Sequence, residues 1–577
     1  MRTALRNPLV WILAAAAGLR LAGLCWGLPA SDGWDDDGFA PRNFLTALAL
    51  TYKHGAYFTY PPLHAFLLAL LTLPGILIAL LHSPSFHQAD VIGEFTKPGF
   101  MTFFAVVGRL VSLVMSLGII WCLHEMTRLV AAGPLGEVHS GSVWTTAQSK
   151  SRAGLFAAGA GALGFGLTYY GQVSNLDVPY LFWSVLALLW GMRVVMERAP
   201  RHFWGAALFA GAAIATKDQA CALFALSLPA FLLLWFGLER WPRENIGKIG
   251  VTLFSAAAVA LFLLLLVDGA ITNPGGFVRR LAFLAGPASQ DYAEYFSGPV
   301  GWPALLADMG RYFARGYGVV AVILAVLGLI LHCVRSRGGA RVAGLLPALG
   351  ILSFTLCFNF AALRSDDRFL LPQAVLSCFY IGIAAEALAF SVRPWIRLAA
   401  RAALTVTALV ALHQCIAVNA ALLLDPRYDA QRWMSAHVGP GDSIETYGQN
   451  CFLPHFPHGA TVMRVGPGDL KLRNPLPGIT EVQAAFGARR GSRFIVVSTA
   501  WAWRYLRPGV ALTGGHIYSR LQQMDFRNGD GQLYFRRLVS GQLGYRLVHA
   551  SHYDGLWPAV HIHDSLDEAI WIFERAP

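Results

Sequence analysis

The feature that most constrains this chain is a succession of long apolar stretches separated by small clusters of arginine and lysine. Crossing about 30 Å of hydrocarbon takes roughly 20 mostly apolar residues in a helix. Candidate spans lie at 9–29, 103–127, 153–170, 180–196, 203–216, 221–238, 251–267, 317–333, 342–361, 369–390 and 395–420, eleven in all. A chain of 577 residues that is 55% hydrophobic and 14% charged, with mean hydropathy +0.50, has the bilayer as its main solvent. The fold expected is an α-helical polytopic membrane protein. The net charge of +12 is dispersed between the apolar stretches and forms no continuous patch, which argues against nucleic acid as a partner. Arg2 and Arg6 followed by apolar residues also describe a secretory signal. Arg20 interrupts that run, however, and no small-residue cleavage site precedes the acidic cluster, so a first spanning helix is expected.

A further apolar run, 61–81, decides the topology. The basic groups are Arg2 and Arg6; Arg128, Lys150 and Arg152; Arg193, Arg198 and Arg201; Arg240, Arg243 and Lys248; Arg335, Arg337 and Arg341; and Arg393, Arg397 and Arg401. If 61–81 does not cross, every group falls on the cytoplasmic side, as the positive-inside rule requires. The run is therefore read as a helix along or dipping into the outer interface, opened by Pro61 and Pro62. Asp32, Asp35, Asp36 and Asp37, then Asp177, Lys217 and Asp218, the loop 268–294, and Arg364, Asp366, Asp367 and Arg368 then share the opposite face. Ionisable groups at the ends of spanning helices need water or one another, so one polar cavity at the outer surface is expected.

Beyond the transmembrane module, 1–420, the composition becomes that of a soluble domain, 421–577, with a GPGD turn and strand-like runs at 493–497 and 569–573. A small α/β domain is expected there, extracytoplasmic by the parity of eleven spans. The eight cysteines show no paired spacing, and only Cys451 lies in this soluble region, so neither a disulfide framework nor a zinc site is expected.

Chemistry is concentrated in a few segments. The run WDDDGFAP places Asp35, Asp36 and Asp37 side by side, where mutual repulsion favours a raised pKa or a shared cation and suits one of them to general-base work. A solvated juxtamembrane acidic patch is the plainer alternative. Tyr52, Tyr57, Phe58 and Tyr60 follow, as interface anchors or as stacking surfaces for a sugar. His64 stands just beyond the YPPL step. Asp177 is the lone acid between two apolar helices, equally a helix cap and a functional carboxylate. Lys217 with Asp218 reads either as a salt-bridged turn or as a phosphate contact. Arg279 with Arg280, and Arg364 with Arg368, suit phosphate recognition, although Arg–Asp networks that tie loops together fit as well. No metal motif such as HExxH is present, and a divalent cation at the acidic residues is left open.

Taken in order, the acidic first loop, YPPL entering an apolar helix, LDVP before a span, a TK step, RFLLP and a terminal outer domain resemble the GT-C glycosyltransferases. Within that class the similarity is to the protein O-mannosyltransferase and aminoarabinose transferase group, over about residues 9–440. The resemblance implies a sugar donor carried on polyprenyl phosphate, an acceptor outside the cytoplasmic membrane, and transfer usually with inversion. It implies that Asp37 is the base, with Gly38 where the family carries Glu, and Asp35 or Asp36 as the alternative acid; Asp177 matches the second-loop acidic position. It places phosphate contacts among Lys217, Arg279, Arg280, Arg364 and Arg368. Tyr60 replaces the Lys that precedes the PPL step in aminoarabinose transferases, which argues against the same sugar. A lipid-linked-substrate transporter is the first rival, although no internal repeat is apparent; an inactive scaffold is the second.

Overall fold

The structure is a computed structural model that describes residues 7–30, 32–35, 38, 41–131, 151–238, 243–286, 291–470, 476–488, 490–506, 529–553, 555, 566 and 569–577. It is a polytopic helical membrane protein with a small C-terminal sheet domain. Among the described residues, seven helices are individually long and apolar enough to cross a bilayer. They divide by surroundings. The Asp367–Ala389 and Asp177–Met196 helices are largely enclosed, with 83% and 72% of the apolar window buried, whereas Ile246–Val267 has only 11% buried. Val251 and Phe254 on that outer helix are 70% and 76% exposed. Apolar faces of this extent are stable only against lipid. The buried helices pack through small residues: Ala157, Ala158 and Gly161 of the Ala153–Ala162 helix lie against the 34-residue Pro98–Ala131 helix and the Asp367–Ala389 helix.

The remaining expected spans are present in shorter form. The first is helical only over Pro8–Leu21 and then turns through 22–27, where the sequence reading continued it to residue 29. Fourteen residues rise about 21 Å, short of a full crossing. The run 153–170 is broken at Leu163 and Gly164, and His202–Ile214 has 13 residues. The Val319–Arg335 helix follows Gly298–Tyr317 at a bend of 108°, turning on Gly318 at φ +79°. The ambiguous run at 61–81 is two helices, Leu63–Leu71 and Leu73–His82, bent by 65°. Thr72 makes the bend: its hydroxyl donates to the Leu68 carbonyl at 2.7 Å, and Pro74 opens the second helix.

After the Pro394–Leu423 helix, the Pro426–His437 helix leads into six strands: β1 (Ser443–Thr446), β2 (Thr461–Gly466), β3 (Ile479–Gln483), β4 (Phe494–Ser498), β5 (Tyr545–Ser551) and β6 (Ile570–Arg575). Among the described residues their order is β3-β2-β1-β4-β6-β5, with the first four parallel and β6 antiparallel to both of its neighbours, β4 and β5. β4 is buried throughout and alternates: Phe494 and Val496 face a layer containing Ala430 and Met434, while Ile495 and Val497 face Tyr505, Tyr534 and Phe535. Cover on both faces explains its unbroken apolar run. The GPGD turn stands where expected, with Asp442 accepting from the Gly439 amide at 2.7 Å and Gly441 at φ +86°.

Candidate functional site

A cavity of about 320 Å³ opens between the Pro41–Tyr52 helix, the 57–60 segment, the start of the Asp177–Met196 helix, the turn at Lys217 and the start of the Asp367–Ala389 helix. Its polar lining includes Tyr60, Asp177, Lys217 and Arg368, from loops far apart in sequence, and Gly38 reaches it directly after the acidic run. Lys217 Nζ lies 2.7 Å from Asp177 Oδ1, and both side chains are nearly enclosed. The Asp177 carboxylate is not a helix cap, since Asn175 Oδ1 accepts the Asp177 amide and the carboxylate turns to Lys217. Lys217 therefore pairs with Asp177, not with its neighbour Asp218. Aromatic faces surround the ammonium, Tyr180 at 5.7 Å and Phe369 at 5.8 Å, and the Arg368 guanidinium lies 4.7 Å over Phe369. Burial, followed by the nearby Asp177 charge, raises the Tyr60 hydroxyl pKa, so Tyr60 is a neutral donor at this wall.

Arg280 stands behind the cavity. It is fully buried on the Pro274–Ala285 helix and donates to Asp218 Oδ2 at 3.2 Å and Asp268 Oδ2 at 2.9 Å. Its guanidinium lies 4.8 Å from the Phe58 ring, a cavity wall residue. Burial pushes the Asp218 carboxyl up to about 7 and the Asp268 carboxyl up to about 6, against the opposing pull of Arg280. Two carboxyls sharing one enclosed cation describe a structural brace. Asn273 fixes that helix in place by accepting from the Gly276 amide and donating to the carbonyls of Thr51 and Ala56. Arg279 is exposed and bonds to the Gly275 and Gly55 carbonyls, away from the cavity. Arg364 bonds to Asp366 at 2.9 Å, beside a Glu294 carboxyl pushed up to about 8 by burial and then by Asp366. His64 is buried in the Leu63–Leu71 helix and does not line the cavity.

Of the acidic run, Asp35 is described, whereas Asp36 and Asp37 lie outside the described residues. Asp35 Oδ2 accepts from Arg109 at 3.0 Å and 3.3 Å, and Arg109 also donates to the carbonyls of Leu24 and Trp26. Asp35 is thus anchored to the membrane helix. The sequence reading missed Arg109, Asp268 and Gln219, the last of which stands 3.5 Å from Asp177. A signal for Arg109 was present, because a charge within an apolar spanning helix is costly and marks a structural or functional contact. Among the described residues, no three metal-ligating side chains gather.

Fold and site define a polytopic helical membrane protein with a polar cavity at helix ends and an attached α/β domain. Two solved structures are similar in outline. Apo ArnT from Cupriavidus metallidurans matches with TM-score 0.46 at 15% identity, over 88% of this chain and 96% of that one. The same protein bound to undecaprenyl phosphate matches with TM-score 0.44 at 14% identity, over 98% and 97%. No family model matches the chain, and no curated protein matches it. Residue roles do not transfer at that distance.

Proposed function

We propose that this protein is a GT-C-type glycosyltransferase of the cytoplasmic membrane that moves a sugar from a polyprenyl-phosphate carrier to an acceptor on the extracytoplasmic side. The observation that carries this reading is the convergence of Lys217, Arg368, Asp177 and Tyr60 on one cavity that is also lined by Gly38, the residue after the acidic run in the sequence. A lipid phosphate needs cations at the membrane boundary, and a transferred sugar needs aromatic and hydroxyl surfaces; this cavity offers both.

In the reaction, an acceptor hydroxyl or amine attacks the anomeric carbon. The bond from that carbon to the phosphate oxygen breaks, and its electron pair leaves with the polyprenyl phosphate. Lys217 and Arg368 neutralise the growing phosphate charge, which is stabilisation confined largely to the transition state. A carboxylate of the acidic run, Asp37 in our assignment, takes the acceptor proton. Asp177 holds Lys217 in place. The same assignment puts the cavity and the 421–577 domain outside the cytoplasm.

The test is transfer from a panel of radiolabelled polyprenyl-phosphate sugars by purified protein in liposomes. Wild type transfers from at least one donor, and Lys217→Met lowers kcat/KM about 100-fold, the scale of losing one charged contact to a phosphoryl leaving group. Movement of donor across the bilayer without transfer would make the protein a transporter instead.

A further inference from the structure

The C-terminal sheet grips the acidic loop of the membrane module. β1 has β2 on one side and β4 on the other, so the strand order reverses there, and in open α/β sheets the crevice beyond the carboxyl ends at such a point holds ligands. Here the connection that leaves β1 at that edge is covered by the chain's own first loop. Trp34, 1% exposed, donates Nε1–H to the Leu453 carbonyl at 2.9 Å and stacks on His455 at 5.1 Å. The Arg427 guanidinium lies 4.2 Å from the Trp34 ring centroid. Asn450 donates to Asp32 at 2.8 Å and accepts from Arg464 of β2. From the membrane module, Arg109 of the Pro98–Ala131 helix fixes Asp35.

The loop that ends at the cavity is therefore held from two directions, by a membrane-helix arginine and by the sheet. Both holds fall within three residues of Asp35, and the sheet contacts cost the loop its freedom without touching the cavity. We infer that the α/β domain is a working part of the site, with Trp34 and Asn450 as positioning residues that fix the 32–35 loop, from which the chain runs on to Gly38 at the cavity. This rests on the glycosyltransferase reading for its kinetic part only.

The test compares full-length wild type, Trp34→Phe and Asn450→Ala, all in detergent micelles. Trp34→Phe keeps an aromatic ring and removes the indole N–H bond to the Leu453 carbonyl. Asn450→Ala, at a half-buried position, removes the bond to Asp32 and the acceptor for Arg464, which keeps Glu481 as its partner. Three quantities are read: amide exchange over 32–38, binding of undecaprenyl phosphate, and kcat and donor KM with the donor found above. The inference expects exchange to rise and kcat to fall, each about tenfold, the effect of one hydrogen bond of ordinary strength. Undecaprenyl phosphate binding and donor KM stay within about twofold. Unchanged exchange in both variants, or faster exchange with undiminished kcat, overturns the inference. A loss of carrier binding in step with kcat overturns it too, because that marks general disruption of the fold. If exchange rises with binding intact but wild type transfers no sugar, the glycosyltransferase reading fails and the grip on the loop stands.

Discussion

At the scale of single residues, the cations that look equivalent in sequence have different surroundings. Lys217 and Arg368 face the cavity, Arg280 is sealed behind it, Arg364 is paired with Asp366, and Arg279 lies at the surface. No spacing rule separates them, because each role is set by the partner that folding brings: Asp177 forty residues from Lys217, and Asp218 sixty-two from Arg280. The brace around Arg280 has a pH signature. Asp218 titrates at about 7 in the folded protein against 3.8 for the free group. The folded state therefore holds the proton more tightly between those values. Its stabilising contribution is complete below about pH 4 and is lost as pH rises through about 7. Thermal unfolding in detergent should show wild type losing more stability between pH 5 and pH 8 than Asp218→Asn, whose side chain carries no proton to release.

At the scale of elements, apolar length and basic punctuation made the helices legible, and each expected span contains a helix. Their ends were less legible: the first helix stops at Leu21, and a bend at Thr72 divides the run that opens with two prolines. The bend arises from the Thr72 hydroxyl bonding to the Leu68 carbonyl and from Pro74, local features that hydropathy does not report. The bend bears on topology. If Leu63–His82 stays at the outer interface, His54→Cys and Lys97→Cys, introduced one at a time into a cysteine-free background, both react with an impermeant maleimide added from the extracytoplasmic side. Labelling from opposite sides would show that the run crosses, and every later basic group would change sides. In the soluble part, the runs predicted at 493–497 and 569–573 appear one residue later as β4 and β6. Strand order was not legible, since parallel pairing joins segments far apart in sequence.

At the scale of the whole molecule, the contact between sheet and first loop had no trace in the sequence, because its partners are about four hundred residues apart. Trp34 stood in the sequence only as the residue before the acidic run, and Asn450 carried no signal. The contact also responds to acid. Burial, then Arg427, lowers the His455 ring to about 4 from an ordinary 6.5. The folded state therefore disfavours the protonated ring, and docking weakens as pH falls from about 6.5 towards 4. Amide exchange over 32–38 should quicken across that interval in wild type and stay level in His455→Phe, which keeps a ring for Trp34 without a titrating nitrogen.

The order of synthesis gives that long-range contact a further meaning. A ribosome makes Trp34 near the beginning and Leu453 only after the last membrane helix has emerged. Arg109 is available to Asp35 as soon as the Pro98–Ala131 helix is in place, whereas the hold on Asp32 and Trp34 comes only with the residues that follow β1. A product cut short before β1 would keep the hold of Arg109 and lack that of the sheet, so the second restraint on the loop arrives late in synthesis.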